Sequence, residues 1–195
     1  MLSNYAKNYR TGETIPAEMI EKLEAASKFN QGYDFGEVVE AALLDMKWAA
    51  LSQAEAAAID TPEKVTAFER KSLEELGLEI DLVPPRYRTT YFNHIFSSPS
   101  GYSAGYYSYL WTEMLDRDSR KWFMDNGGLT RANGDHYRKT VLSTGGTMDY
   151  FEMFRNFAGR EPDVTPMLEA RGLIAGDEAA DSEASDGKLP PRTVN

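Results

Sequence analysis

The sequence predicts a mostly all-α chain, on three observations. Apolar residues recur at three- and four-residue spacing through most of its 195 positions, which is the period of an amphipathic helix. No stretch alternates apolar and polar residues over a strand's length, so little sheet is expected. Helix-start and helix-stop residues stand at the ends of the periodic segments.

The elements follow in order. Pro16 suits a first helical turn, and Met19, Ile20, Leu23 and Ala26 then line one face. Asn30-Gln31-Gly32 breaks that helix. A longer one is expected from about Phe35 to Ala58, with Val38, Val39, Ala42, Leu43, Met46 and Leu51 on its apolar side. Thr61-Pro62-Glu63 supplies a capping hydroxyl, a proline at the first helical position and an acid near the positive dipole end. The helix it starts carries Val65, Phe68, Leu73 and Leu76 and stops at Gly77. The two prolines in Ile80-Asp81-Leu82-Val83-Pro84-Pro85-Arg86 demand an extended connector. Ser97-Ser98-Pro99-Ser100-Gly101 reads as a loop. A long helix is expected from Ala104 to about Asp125, stopped at Asn126-Gly127-Gly128. Thr130 caps the next, through Val141. A further helix runs from Met148 to Phe157, and Pro162 and Pro166 bracket a short final turn, Met167 to Arg171. From Gly176 onward Asp and Glu alternate with Ala and Ser, a composition too poor in apolar residues to build a core. The expected organisation is one helical part, 1–175, and a disordered acidic tail, 176–195.

Composition narrows the function classes. There is no cysteine, so a disulfide framework and a thiolate metal site are both excluded. A formal net charge of −10 disfavours a phosphate-tracking partner, so no nucleic acid is expected. No apolar run approaches the roughly 20 residues that span a bilayer, and the N-terminus lacks the apolar core of a signal peptide. A soluble, cytoplasmic chain with no membrane partner is the expectation. The two histidines, His94 and His136, stand 42 positions apart, and neither opens a His-Glu-x-x-His pair. Neither a Gly-x-Ser-x-Gly elbow nor a phosphate loop is present. No complete catalytic constellation can be read from this chain alone.

One segment is unusual. Four tyrosines, Tyr102, Tyr106, Tyr107 and Tyr109, fall within eight residues, just after the loop that follows His94. On a helix, Tyr102, Tyr106 and Tyr109 would share a face. A phenol is a neutral donor suited to an oxyanion formed when an amide is attacked. A histidine before such a loop can bind a peptide carbonyl or carboxylate. The plainer reading is an aromatic core stripe with its polar tips satisfied at the edge.

His94, Gly101-Tyr102 and Gly105-Tyr106-Tyr107-x-Tyr109-Leu110-Trp111 together resemble the C-terminal signature of the thimet oligopeptidase family of zinc metallopeptidases, nearest the bacterial peptidyl-dipeptidases. Ala41-Ala42-Leu43-Leu44-Asp45-Met46-Lys47-Trp48, Pro84-Pro85-Arg86-Tyr87-Arg88, Asn126-Gly127-Gly128-Leu129-Thr130 and Pro166-Met167-Leu168-x-x-Arg171-Gly172-Leu173 resemble it too. The likeness runs from about residue 3 to 173. It implies the helical C-terminal part of a zincin-type fold, acting on oligopeptides and releasing C-terminal dipeptides. It also implies Zn2+ held by His-Glu-x-x-His and a further glutamate, all upstream of the matched part. No metal ligand is therefore assigned here, and the missing N-terminal part of a peptidase becomes a possible partner. By the resemblance, Tyr109 hydrogen-bonds the oxyanion, Tyr102 lies on a loop that closes on peptide, and His94 contacts substrate, with Gly101 and Tyr106 completing the binding set. His136 receives no role. Two alternatives stand beside this reading: a non-catalytic helical module that binds peptides or a partner chain, and a new metal site of carboxylates with His94.

Overall fold

The computed structural model describes residues 5–98 and 101–174. Among them the fold is helical, with no β-strand and one isolated antiparallel bridge, Lys7 with Thr14. The acidic tail lies outside the described residues. The described residues fall into two compact units, one of residues 5–31 with 168–174, the other within Gly32–Met167.

In the first unit α1 spans Ala17–Ser27 and buries none of its residues. The face expected to be internal is open: Met19 and Leu23 are exposed, and so is Phe29 just beyond. Arg171 Nη1 donates to Gln31 Oε1 at 2.8 Å within this unit.

The second unit holds the core. Helix α2, Gln31–Ala49, buries Glu40, Ala41, Ala42, Leu44 and Asp45. The single helix expected from Phe35 to Ala58 is two: α3 runs separately over Gln53–Ala58. Its start is a capping box. Glu55 N–H donates to Ser52 Oγ at 3.3 Å, and the Ser52 N–H donates to Glu55 Oε2 at 2.8 Å. That reciprocal pair satisfies two donors a continuous helix would have used otherwise, so the chain restarts at Ser52. Helix α4, Pro62–Glu75, begins at the expected Thr61 cap. The Pro84-Pro85 connector is non-helical, as its prolines require. A 3-10 turn at Thr89–Tyr91 leads into the short α5, Asn93–Phe96.

Helix α6 spans Ser108–Asp125, four residues later than the expected start at Ala104. Ala104 has φ 56°, a left-handed conformation that cannot continue a right-handed helix. Helix α7, Arg131–Tyr137, is capped by Thr130 as read from sequence, then widens into a π-helical turn over Arg138–Leu142. Asp149 caps α8, Tyr150–Ala158, and α9 spans Thr165–Arg171. Asp118 on α6 is fully buried and is held by both Nη atoms of Arg160 and by the Asp163 N–H at 2.8 Å.

Candidate functional site

The site is an aromatic cluster built by two stretches of the second unit, 87–94 and 102–109. Its floor is apolar. Phe92 is fully buried, and with Ile95 and Tyr106 it packs on Ala41 and Ala42 of α2. Two alanines at that point keep the helix surface low enough for large rings to seat against it. Tyr87 stacks on Phe92 with centroids 5.1 Å apart, and Tyr106 meets Phe92 edge-on at 4.9 Å.

His94 sits on this floor at 4.6 Å from the Tyr87 ring and 6.0 Å from Tyr106 and from Tyr102. Its Nδ1 is buried and has no hydrogen-bond partner. A buried ring nitrogen without a partner is uncommon and points to a group that something else completes. The segment after His94 returns on itself, because the Tyr102 N–H donates to the His94 carbonyl at 3.1 Å. Gly101 stands at that closure. A Cβ there would lie 3.1 Å from the carbonyl oxygens of both His94 and Ser98, so glycine fits where a larger residue would push the turn open.

The three tyrosines come together, though not as sequence periodicity suggested. Only Tyr109 lies on α6; Tyr102 and Tyr106 precede it in turns. They meet because the left-handed Ala104 folds Tyr102 back. The rings of Tyr102 and Tyr109 stack at 6.0 Å, and Tyr106 and Tyr109 lie 5.0 Å apart. Tyr102 is 43% exposed and Tyr109 47%, whereas Tyr106 is buried. The cluster is thus neither a closed core nor a surface stripe. It has a buried base and two phenols at its open edge.

Electrostatics keep the Tyr106 and Tyr109 phenols protonated. Burial, followed by the neighbouring Tyr87 phenol, pushes the Tyr106 hydroxyl up to about 12. A hydrogen bond with the Tyr102 hydroxyl, then desolvation, holds Tyr109 above its ordinary value. Near neutral pH both are hydrogen-bond donors, the form that can stabilise developing negative charge on a carbonyl oxygen.

Sequence reasoning did not single out three buried acidic residues of this unit. Asp45, 1% exposed, accepts the Ala104 N–H at 2.8 Å and the Tyr106 N–H at 2.9 Å. Glu69, also buried, accepts the Thr89 N–H at 2.6 Å and Arg88 Nε at 2.8 Å. Glu40 is buried with one oxygen unpartnered, and burial, then the charge of Glu37, raises its carboxyl to about 7. The contacts of Asp45 and Glu69 reach across up to 61 residues of sequence, so no local pattern announces them.

His136 is placed elsewhere. It stacks on Trp122 at 5.3 Å and on Phe157 at 5.7 Å, and its Nε2 contacts the Phe157 carbonyl at 2.8 Å. It joins α7 to the end of α8 and takes no part in the tyrosine site. Among the described residues no three His, Asp or Glu side chains are grouped to hold a metal ion. Both histidines stand among aromatic rings, His94 beside Tyr87 and His136 beside Trp122 and Phe157.

Comparison with known proteins decides the lineage. The family model for Peptidase family M3 matches residues 1–173. The chain belongs to peptidase family M3. Within it, this chain is similar to the dipeptidyl carboxypeptidase of Escherichia coli, 43% identical over 173 residues that make up 89% of this chain and 24% of that protein. The Salmonella typhimurium dipeptidyl carboxypeptidase is equally similar, and the Escherichia coli oligopeptidase A is 31% identical over 169 residues. The chain therefore spans about a quarter of the length of the curated M3 relatives it matches. No helix among the described residues is long and apolar enough to cross a membrane.

Proposed function

We propose that this chain is the substrate-gripping part of an M3 peptidase that releases dipeptides from the C-terminus of short peptides. The observation that carries the reading is the paired edge of Tyr102 and Tyr109 over a half-buried His94 and a buried Tyr106. His94 and Tyr102 bind the peptide backbone, with Gly101 allowing the tight closure between them. Tyr109 donates its hydroxyl proton in a hydrogen bond to the scissile carbonyl oxygen as charge builds there. Tyr106, buried and protonated, braces Tyr109 from behind. The zinc that the family uses is assigned to residues outside this chain, and no step is derived through it. The exposed Met19, Leu23 and Phe29 support a chain that packs against further protein.

The second reading, a peptide-binding module without catalysis, draws on the lack of a metal-capable cluster among the described residues. One experiment separates the two. A blocked tripeptide is incubated with the purified chain, with and without zinc. The assay is then repeated after co-expression with the part of Escherichia coli dipeptidyl carboxypeptidase that lies outside the matched stretch. Zinc-dependent dipeptide release only in the co-expressed sample, lost in Tyr109→Phe, supports the peptidase reading. Binding with no cleavage in either sample favours the module. Chelator-sensitive cleavage by the chain alone would overturn the assignment of the metal to other residues.

A further inference from the structure

One turn of α2 reaches both stretches of the tyrosine site. Asp45 holds the second stretch through the Ala104 and Tyr106 N–H groups, one on each carboxylate oxygen, at 2.8 and 2.9 Å. Trp48, three residues on, donates Nε1–H to Thr89 Oγ1 at 3.0 Å, and Thr89 opens the turn that leads to Phe92 and His94. The two grips lie on one helical face, since residues three apart are neighbours there.

Asp45 is not an ordinary filler of its position. It is 1% exposed, beside the fully buried Leu44 and one turn from Ala41 and Ala42. A carboxylate in such a place costs free energy unless hydrogen bonds compensate it, and an apolar side chain would pack there without that cost. What it obtains is a pair of charge-assisted bonds to a turn that does not form readily. Ala104 is left-handed at φ 56°, a conformation that disfavours any residue with a Cβ. The same two N–H groups bracket Gly105, three residues after Tyr102 and three before the start of α6. Tyr102 is therefore held between the His94 carbonyl on one side and the Asp45 clamp on the other.

We propose that Asp45 is a positioning residue whose carboxylate fixes the Ala104–Tyr106 turn and thereby sets the spacing of Tyr102, Tyr106 and Tyr109 against His94. The proposal rests on the peptide-gripping reading of that cluster for its functional consequence, and on geometry alone for the positioning. Asparagine keeps the shape but offers one acceptor, and turns its NH2 group toward the second N–H. The two bonds cannot both survive that exchange.

The test uses the full 195-residue chain and Asp45→Asn. A blocked tripeptide is titrated into each, well below the melting transition, and the tyrosine ring resonances and amide exchange are followed by NMR. The expected result is an affinity loss of at least about tenfold in a folded variant. Shifted ring signals for Tyr106 and Tyr109, and unshifted ones for Trp122 and His136, should accompany it. A purely structural role would lower the melting temperature and leave the affinity of the folded protein unchanged, which overturns the proposal. If the unmodified chain binds no tripeptide, the gripping reading fails, and the ring signals alone decide the positioning: moved supports it, unmoved refutes it. Should Asp45→Asn not fold, exchange of the Ala104 and Tyr106 amides in the unmodified chain is the measure. Strong protection sustains the clamp, and exchange at the rate of an open turn removes it.

Discussion

Two histidines in this molecule sit among aromatic rings, and their surroundings differ in one respect. His136 is stacked on Trp122 and Phe157 and its Nε2 is engaged by the Phe157 carbonyl. His94 is packed on Tyr87, yet its buried Nδ1 has no partner, and two half-exposed phenols stand at its edge. The first arrangement is complete and serves packing. The second leaves one buried ring nitrogen without a partner, beside two half-exposed phenols that hydrogen-bond each other, and these are the groups on which the proposed peptide site draws. Aromatic content alone does not tell such regions apart; the fate of the polar atoms does.

The largest perturbation should make the two clusters behave alike. Phe92→Ala and Phe157→Ala each remove a ring that is at most 2% exposed, and each should cost about 3–5 kcal/mol in chemical denaturation. A difference of more than a factor of two would show that one floor can collapse around the void. A second test is the buried carboxyl of Glu40 on α2. Glu40 is raised from 4.5 to about 7 by burial and then by Glu37. Between those values the native chain keeps a proton that the unfolded chain has released, so stability should fall as pH rises across that window. Glu40→Gln should flatten this slope and stabilise the protein above pH 7 by up to about 3 kcal/mol, read from melts over a pH series. An unchanged slope would mean that water reaches the carboxylate.

The histidines give a sharper contrast with a smaller effect. His136→Ala should destabilise by about 1–3 kcal/mol, because it strands the Phe157 carbonyl and a ring stack. His94→Ala should cost less than about 1 kcal/mol in stability while abolishing tripeptide binding. Equal stability losses with retained binding would erase the distinction between the two regions. The smallest change expected is Tyr102→Phe, within about 0.5 kcal/mol of the parent in stability. It should lower the Tyr109 phenol midpoint, since the Tyr102 hydroxyl is the main cause of its elevation. A spectrophotometric phenol titration would detect this.

Sequence carried the parts of the fold that short-range chemistry controls. The Thr61 and Thr130 caps and the break at the Pro84-Pro85 connector are local features, and each stands where the residues put it. The Ser52-x-x-Glu55 box was equally local, but it lies inside an alanine-rich stretch whose helical period runs on without interruption. The tyrosine site was legible as a set of residues and misread as a geometry. A helical face predicts the grouping of Tyr102, Tyr106 and Tyr109, but the grouping is made by a left-handed alanine that Asp45 stabilises from 59 residues away. Side chains that act across such separations leave no periodic trace. The lineage, by contrast, rested on several ordered blocks, and the family match over residues 1–173 agrees with them.

The bond from the Tyr102 N–H to the His94 carbonyl has a consequence for how this site can vary. It pinches the base of the intervening segment shut, so the number of residues in that segment is uncoupled from where His94 and Tyr102 stand. Closing a somewhat longer loop costs little extra entropy. The pinch acts as a socket: Ile95 stays in the buried floor, and changes of length or stiffness between it and Gly101 leave the rings below in their places. Under the proposed function, peptide preference diversifies through the socket's insert, with the tyrosine edge left alone.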